Sequence, residues 1–379
     1  MANDKPLKVL IVDDTVIYRK IGRDVLAELP HVEVVGTAHN GKAAIIKMAS
    51  LKPDLLILDI EMPEMNGLEV LAHIKTAAPD VGAIMLSTLT QESGGLTMKA
   101  LELGAFDFIP KPQEGSIAEN TAAIKKTIAP MLKAFARQKD IKDILQGKIH
   151  ASAAESVEKR PQDSAKIVQR MRAITDRQRG NSEVVAIGIS TGGPKALAQM
   201  MPKIPARLGA PILIVQHMPP FFTQSLADSL NAKCFLEVRE AVDGETLRPN
   251  IALIAPGGKQ MKVAVAPDGK ARVVRVTDDP PENSCKPSVD YLMRSIAHHY
   301  IGRATGVIMT GMGSDGLLGL KLMKRNGATI LAQDESTCVV YGMPKEPIEA
   351  GIVDVIAPLD KIADEIARTV GHSSLDNGP

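Results

Sequence analysis

Residues 7–14 read LKVLIVDD, a short apolar run that stops at two aspartates. A continuous run of branched residues suits a strand buried on both faces, and an abrupt polar end suits the edge where such a strand meets solvent. The same design recurs at VEVVGTA (32–38), DLLILD (54–59), VGAIMLS (81–87) and AFDFIP (105–110). The stretches between them place apolar residues at helical spacing, so the region is expected to be a doubly wound parallel sheet covered by helices on both faces. A second set follows: VVAIGIS (184–190), PILIVQH (211–217), IALIAP (251–256), TGVIMTG (305–311) and ATILAQ (328–333). It predicts a second α/β unit, again doubly wound and mainly parallel. The expected divisions are 5–125 for the first domain, 126–182 for a partly helical linker and 183–371 for the second domain. Within the linker, Ile167, Met171 and Ile174 recur at helical spacing among arginines, as in an amphipathic helix.

Composition narrows the function. A formal charge of +1 and 3% aromatic residues offer neither a basic surface nor stacking platforms, so nucleic acid is not an expected partner. The three cysteines, Cys234, Cys285 and Cys338, include no CxxC pair and suggest neither a disulfide framework nor a zinc site. No apolar run approaches a membrane span or a signal peptide, and the chain is expected to be soluble, cytoplasmic and without membrane insertion.

In open α/β sheets ligands bind beyond the carboxyl ends of the strands. In the first domain those ends carry Asp13 and Asp14, then Asp59, Ser87 and Lys111. Three carboxylates on one edge repel one another and call for a cation; oxygen donors favour Mg²⁺, and Lys111 would balance the remaining charge. This constellation resembles the response-regulator receiver family. The resemblance implies five parallel strands in the order 2-1-3-4-5 and phosphorylation of Asp59 by a chemotaxis-type histidine kinase. It also implies a Mg²⁺ site formed by Asp13, Asp14, Asp59 and the backbone carbonyl of Glu61. Ser87 and Lys111 would sense the phosphoryl group, and Phe108 stands where the family has a switching aromatic.

In the second domain Ser190 ends a strand and is followed by Thr191, Gly192, Gly193 and Pro194, a tight strand-to-helix turn. Such a turn lifts a serine hydroxyl beside a helix N-terminus, which suits an oxyanion and equally a bound phosphate. His217 ends the next strand, and Asp315 lies in the glycine-rich GMGSDG after a later one. A Ser-His-Asp triad on one sheet edge follows, with Asp290 and Asp334 as rival acids and His298 and His299 as packing or surface residues. The order Ser, His, Asp differs from the Ser, acid, His order of α/β-hydrolases, which predicts another scaffold. GISTGGP, QHMP and TGMGSDG behind a receiver resemble the chemotaxis protein-glutamate methylesterase/glutaminase (CheB) family. The resemblance implies phosphorylation-regulated hydrolysis of glutamate γ-methyl esters, and deamidation of glutamines, on methyl-accepting chemoreceptors in two-component signalling. The esterase would use no cofactor. The backbone N–H groups of Thr191 and, by resemblance, Met312 would bind the oxyanion. A binding module, an esterase for another substrate and a scaffolding output are the competing readings.

Overall fold

The computed structural model describes residues 5–112, 115–145 and 181–371. The proposed helix at Ile167, Met171 and Ile174 lies outside them.

The N-terminal strands β1 (Leu7–Val12), β2 (Val32–Ala38), β3 (Leu55–Asp59), β4 (Gly82–Ser87) and β5 (Asp107–Pro110) pair in parallel in the order β2-β1-β3-β4-β5. Helices α1 (Val16–Ala27), α2 (Gly41–Leu51), α3 (Gly67–Ala77), α4 (Gln91–Leu103) and α5 (Ile117–Leu145) cover the two faces. The helix starts have local causes. Asn66 accepts from the Glu69 N–H while Glu69 reaches back to the Asn66 N–H, a capping box that begins α3 just beyond Asp59. Helix α5 is longer than expected. The boundary placed at 125 falls inside it, because Ile128, Met131 and Leu132 continue the apolar stripe into the core beneath β1 and β3.

The second domain is built on seven parallel strands in the order β14-β13-β12-β6-β7-β9-β8. They are β6 (Val184–Ile189), β7 (Ile212–Gln216), β8 (Glu237–Glu240), β9 (Ile251–Ile254), β12 (Ala304–Ile308), β13 (Thr329–Gln333) and β14 (Val355–Ala357). Helices α6 (Gly193–Met200), α7 (Phe222–Asn231), α8 (Val289–His299), α9 (Leu317–Arg325), α10 (Lys345–Glu349) and α11 (Leu359–Val370) complete the unit. An antiparallel ribbon, β10 (Gln260–Val265) with β11 (Arg272–Thr277), stands outside the sheet. Strand β6 lies in the middle. The chain leaves it towards β7 on one side and returns to β12 on the other, with Val185 beside both Ile212 and Thr305.

The two domains share a contact in which α4 packs on α7. Phe108 and Phe222 stack with ring centroids 4.8 Å apart and an interplanar angle of 15°. Glu102 accepts from the Ser229 hydroxyl at 2.8 Å and pairs with Lys233. The backbones approach closely at Gly94, where an added Cβ would lie 2.5 Å from Ser225 Oγ. No described helix is long and apolar enough to cross a membrane.

The length of α5 is testable. An N-terminal fragment ending at residue 125 should unfold at markedly lower denaturant than one ending at 145. It loses Ile128, Met131 and Leu132 from the core, at about 1.5–3 kcal/mol for each buried side chain. Equal midpoints would show that the helix beyond residue 125 adds nothing.

Candidate active site and acidic pocket

At the end of β6 the Ser190 N–H donates to Thr310 O at 3.0 Å and the Gly193 N–H to Ser190 O at 2.7 Å, closing the turn into α6. Gly192 has φ 75°, and a Cβ there would lie 2.6 Å from Val339, so both the left-handed backbone and the space demand glycine. The register that aligns Ile189 with Gln216 brings Ser190 beside His217, and the His217 N–H donates to Ile189 O at 3.1 Å. Among the described residues, the N–H groups of Thr191 and Met312 donate no hydrogen bond. They are free to receive negative charge.

His217 Nε2 lies 2.8 Å from Asp315 Oδ2. A carboxylate only accepts, so Nε2 carries a hydrogen, and in the neutral ring the Nδ1 lone pair is left free. The Asp315 carboxylate sits on the N-terminus of α8. It accepts from the Val289 N–H at 2.7 Å, the Asp290 N–H at 3.1 Å, the Ser288 hydroxyl at 2.9 Å and the Asn283 amide at 3.1 Å. Burial disfavours its charge, but the His217 hydrogen bond and these donors outweigh that effect and hold the carboxyl below its ordinary value. Burial likewise opposes charge on His217. The hydrogen bond to Asp315 and the neighbouring Cys285 thiol prevail, raising the imidazole to about 9.

The rival acids lie elsewhere. Asp290 is buried but spends its oxygens on the Gly319 N–H and the Asn283 amide. Asp334 caps the short turn at Thr337. His298 is exposed and His299 half-buried on α8. The structure thus joins His217 to Asp315 and sets Ser190 on the adjoining strand end. Among the described residues, no hydrogen bond links the Ser190 hydroxyl to the imidazole.

Several participants carry no signal in the sequence. Asn283 and Ser288 hold Asp315 from a loop about thirty residues upstream. Cys285 Sγ lies 3.9 Å from His217 Nδ1. Asp107, fully buried in the N-terminal domain, accepts from the Gly192 N–H across the domain boundary at 3.1 Å. Gln216 alone had a clue, its place before His217; its amide donates to Ser190 O at 3.0 Å.

In the acidic pocket, oxygen atoms of Asp13, Asp14 and Asp59 lie within 4.8 Å of one another. Lys111 Nζ stands 2.7 Å from Asp59 Oδ2 and 2.8 Å from Asp13 Oδ2. One ammonium against three carboxylates leaves two negative charges, and hard oxygen donors in that number fit a divalent cation such as Mg²⁺. Burial pushes the Asp59 carboxyl up to about 6 despite Lys111, with Asp13 adding to the rise. The Glu61 N–H reaches Asp59 Oδ1 at 3.4 Å, while the Glu61 carboxylate accepts from the hydroxyls of Thr88 and Ser93. Ser87 is buried, and its hydroxyl accepts from Thr97 of α4 at 2.8 Å. Phe108 is buried against the other domain.

Residues 185–366 match the family described as CheB methylesterase, and residues 9–122 that described as the response regulator receiver domain. A protein-glutamate methylesterase/protein-glutamine glutaminase of Desulfotalea psychrophila is 54% identical over 368 residues, covering 97% of this chain and 99% of its own. Its counterpart in Trichodesmium erythraeum is 40% identical over 365 residues, covering 96% and 99%. The crystal structure of the Thermotoga maritima CheB methylesterase catalytic domain is 40% identical to the part it matches. It covers 50% of this chain and 99% of that domain, with a TM-score of 0.48.

Protonation of His217 gives a measurable consequence. A neutral imidazole is the form that takes a proton, so ester hydrolysis should rise with pH towards about 9, and Cys285→Ser should move that rise to lower pH. The charged pair also favours the folded state fully below the ordinary histidine value near 6.5. That contribution fades as pH climbs through about 9. A pH profile identical in the two proteins would rule out the Cys285 contribution.

Proposed function

The chain belongs to the protein-glutamate methylesterase/protein-glutamine glutaminase family, and from this premise we propose that Ser190, His217 and Asp315 hydrolyse glutamate γ-methyl esters on methyl-accepting chemoreceptors. The carrying observation is the His217 to Asp315 contact at 2.8 Å on the strand end beside Ser190. Rotation brings the Ser190 hydroxyl to Nδ1, the free nitrogen. The imidazole takes the proton as Ser190 Oγ attacks the γ-carbonyl, then gives it to the departing methoxy oxygen, and methanol leaves. Water repeats the sequence on the acyl-serine, restoring Ser190 and releasing the glutamate carboxyl. Asp315 stabilises the imidazolium throughout. The free N–H groups of Thr191 and Met312 support the reading, because they suit the oxygen that becomes negative at each tetrahedral stage. A glutamine side chain follows the same course with ammonia as the leaving group.

Asp59 is the phosphoacceptor, with a chemotaxis-type histidine kinase as donor. Receiver domains are phosphorylated in a Mg²⁺-dependent way. In this chain Asp13, Asp14, Asp59 and the Glu61 carbonyl would hold the ion, which neutralises charge on the transferring phosphoryl oxygens. Lys111 pairs with the phosphoryl group. Ser87, turning its hydroxyl towards it, releases Thr97 and so loosens α4. Because α4 rests on α7, and Asp107 of β5 engages the Gly192 N–H two residues after Ser190, the unphosphorylated receiver restrains the catalytic turn. Phosphorylation shifts the population towards the released state. The reaction takes place in the cytoplasm, on the cytoplasmic helices of the receptors.

Methylated receptor membranes should release methanol with the wild-type chain. Ser190→Ala should lower that rate by several orders of magnitude; an unchanged rate would exclude Ser190 as nucleophile. A phosphodonor should stimulate the wild type and leave Asp59→Ala unmoved. Phe108→Ala forfeits an aromatic pair worth about 0.5–1.5 kcal/mol. It should therefore raise the unphosphorylated rate roughly 2- to 10-fold. A fall in that rate, with the folded fraction unchanged, would refute the restraint.

A further inference from the structure

Cys285 has no part in the hydrolytic steps derived above, yet its sulfur faces the second ring nitrogen of His217. Its Sγ lies 3.9 Å from His217 Nδ1 and has one other weak contact, to Asn283 O at 3.5 Å. One atom each from His217, Cys285 and Asp315 falls within 4.8 Å of the others. Thiolate and imidazole together are a soft donor pair, suited to zinc and its relatives and poorly suited to Mg²⁺. With bonds of about 2.3 Å to sulfur and 2.05 Å to nitrogen, a tetrahedral zinc separates these atoms by roughly 3.6 Å. The gap in the structure exceeds that by a few tenths of an ångström, within the reach of a small χ adjustment.

A second feature points the same way. Metal-bound histidines characteristically donate their other ring N–H to a carboxylate, which fixes the ring and strengthens it as a ligand. His217 already does so through Nε2 and Asp315. Asp315 is itself held by two backbone N–H groups, a hydroxyl and an amide, so it acts as the supporting carboxylate and not as a ligand. We propose that the esterase centre is also a capture site for a thiophilic divalent cation, Zn²⁺ or a close relative, bound by Cys285 Sγ and His217 Nδ1 with water in the open positions. Coordination displaces to solvent the thiol proton and, where the ring is charged, the Nδ1 proton, and it occupies the Nδ1 lone pair, so a loaded chain has no base for Ser190. The blocking of hydrolysis rests on His217 being that base; the binding does not.

The other two thiols are poor competitors, since burial pushes Cys234 up to about 11 and Cys338 up to about 12. The acidic pocket binds cations through oxygen alone, which separates the two sites by spectroscopy. Co²⁺ added to the full-length chain in excess Mg²⁺ should give a thiolate-to-cobalt charge-transfer band. The band should be kept in Cys234→Ser, lost in Cys285→Ser and displaced by Zn²⁺. Zn²⁺ should also protect Cys285 of the wild type from alkylation, a readout that needs no variant to fold. Absence of the band, its survival in Cys285→Ser, or alkylation of Cys285 at an undiminished rate would overturn the site. In parallel, Zn²⁺ should abolish methanol release, and a chelator should restore it. A band accompanied by full hydrolysis would overturn the role of His217 as base while leaving the cation site standing.

Discussion

Both domains depend on one topological constraint, the point in a parallel sheet where consecutive connections diverge to opposite sides. A crossover carries the chain from β6 to β7 on one flank, and later segments return it to β12 on the other; such crossovers are as a rule right-handed. The loops leaving β6 and β12 therefore part company and leave a crevice at the carboxyl edge. Ser190, His217 and Asp315 are gathered there although 98 residues separate the last two. The N-terminal sheet does the same between β1 and β3, and places Asp13, Asp14 and Asp59 in its own crevice. Covering helices supply what the edges lack, a directed field. The N-terminus of α8 holds Asp315 ionised in a buried place, and α6 begins where negative charge would develop beside Ser190.

The domain contact joins these two crevices mechanically. Ser87 at the end of β4 touches Thr97 in α4, and α4 lies along α7. One strand later, Asp107 takes the Gly192 N–H and Phe108 lies on Phe222. Among the described residues, no cation pairs with Asp107. Burial raises its carboxyl to about 6, opposed only by two backbone N–H donors. A fully desolvated charge with so little compensation makes the docked arrangement costly. A contact that costly is the kind that the proposed phosphorylation at Asp59 would need to undo.

Much of this was legible in the sequence, for identifiable reasons. Strands buried on both faces must be almost wholly apolar, so LKVLIV, DLLIL and VVAIGI announced themselves, and their polar ends marked the edges where chemistry occurs. The helix that closes the first domain runs on to Leu145, into the segment expected to be a partly helical linker. The ribbon β10 with β11 went unread, since half-exposed strands alternate and resemble loops in a charged segment. Cys285, Asn283 and Ser288 were invisible as site residues: each acts only through a partner remote in sequence.

By itself, the sequence determined two parallel α/β units, the acidic cluster at the ends of β1 and β3, and Ser190, His217 and the glycine-rich Asp315 turn as candidates on one edge. Those features are local, written in apolar runs and the residues that end them. Only the tertiary structure decided which acid meets His217 and which ring nitrogen stays free. It also decided that a cysteine faces that nitrogen, and that a receiver aspartate holds the turn beside Ser190. Each of these is a contact of a few ångströms between segments far apart in the chain, and such contacts follow from helix placement and packing, which no local pattern encodes.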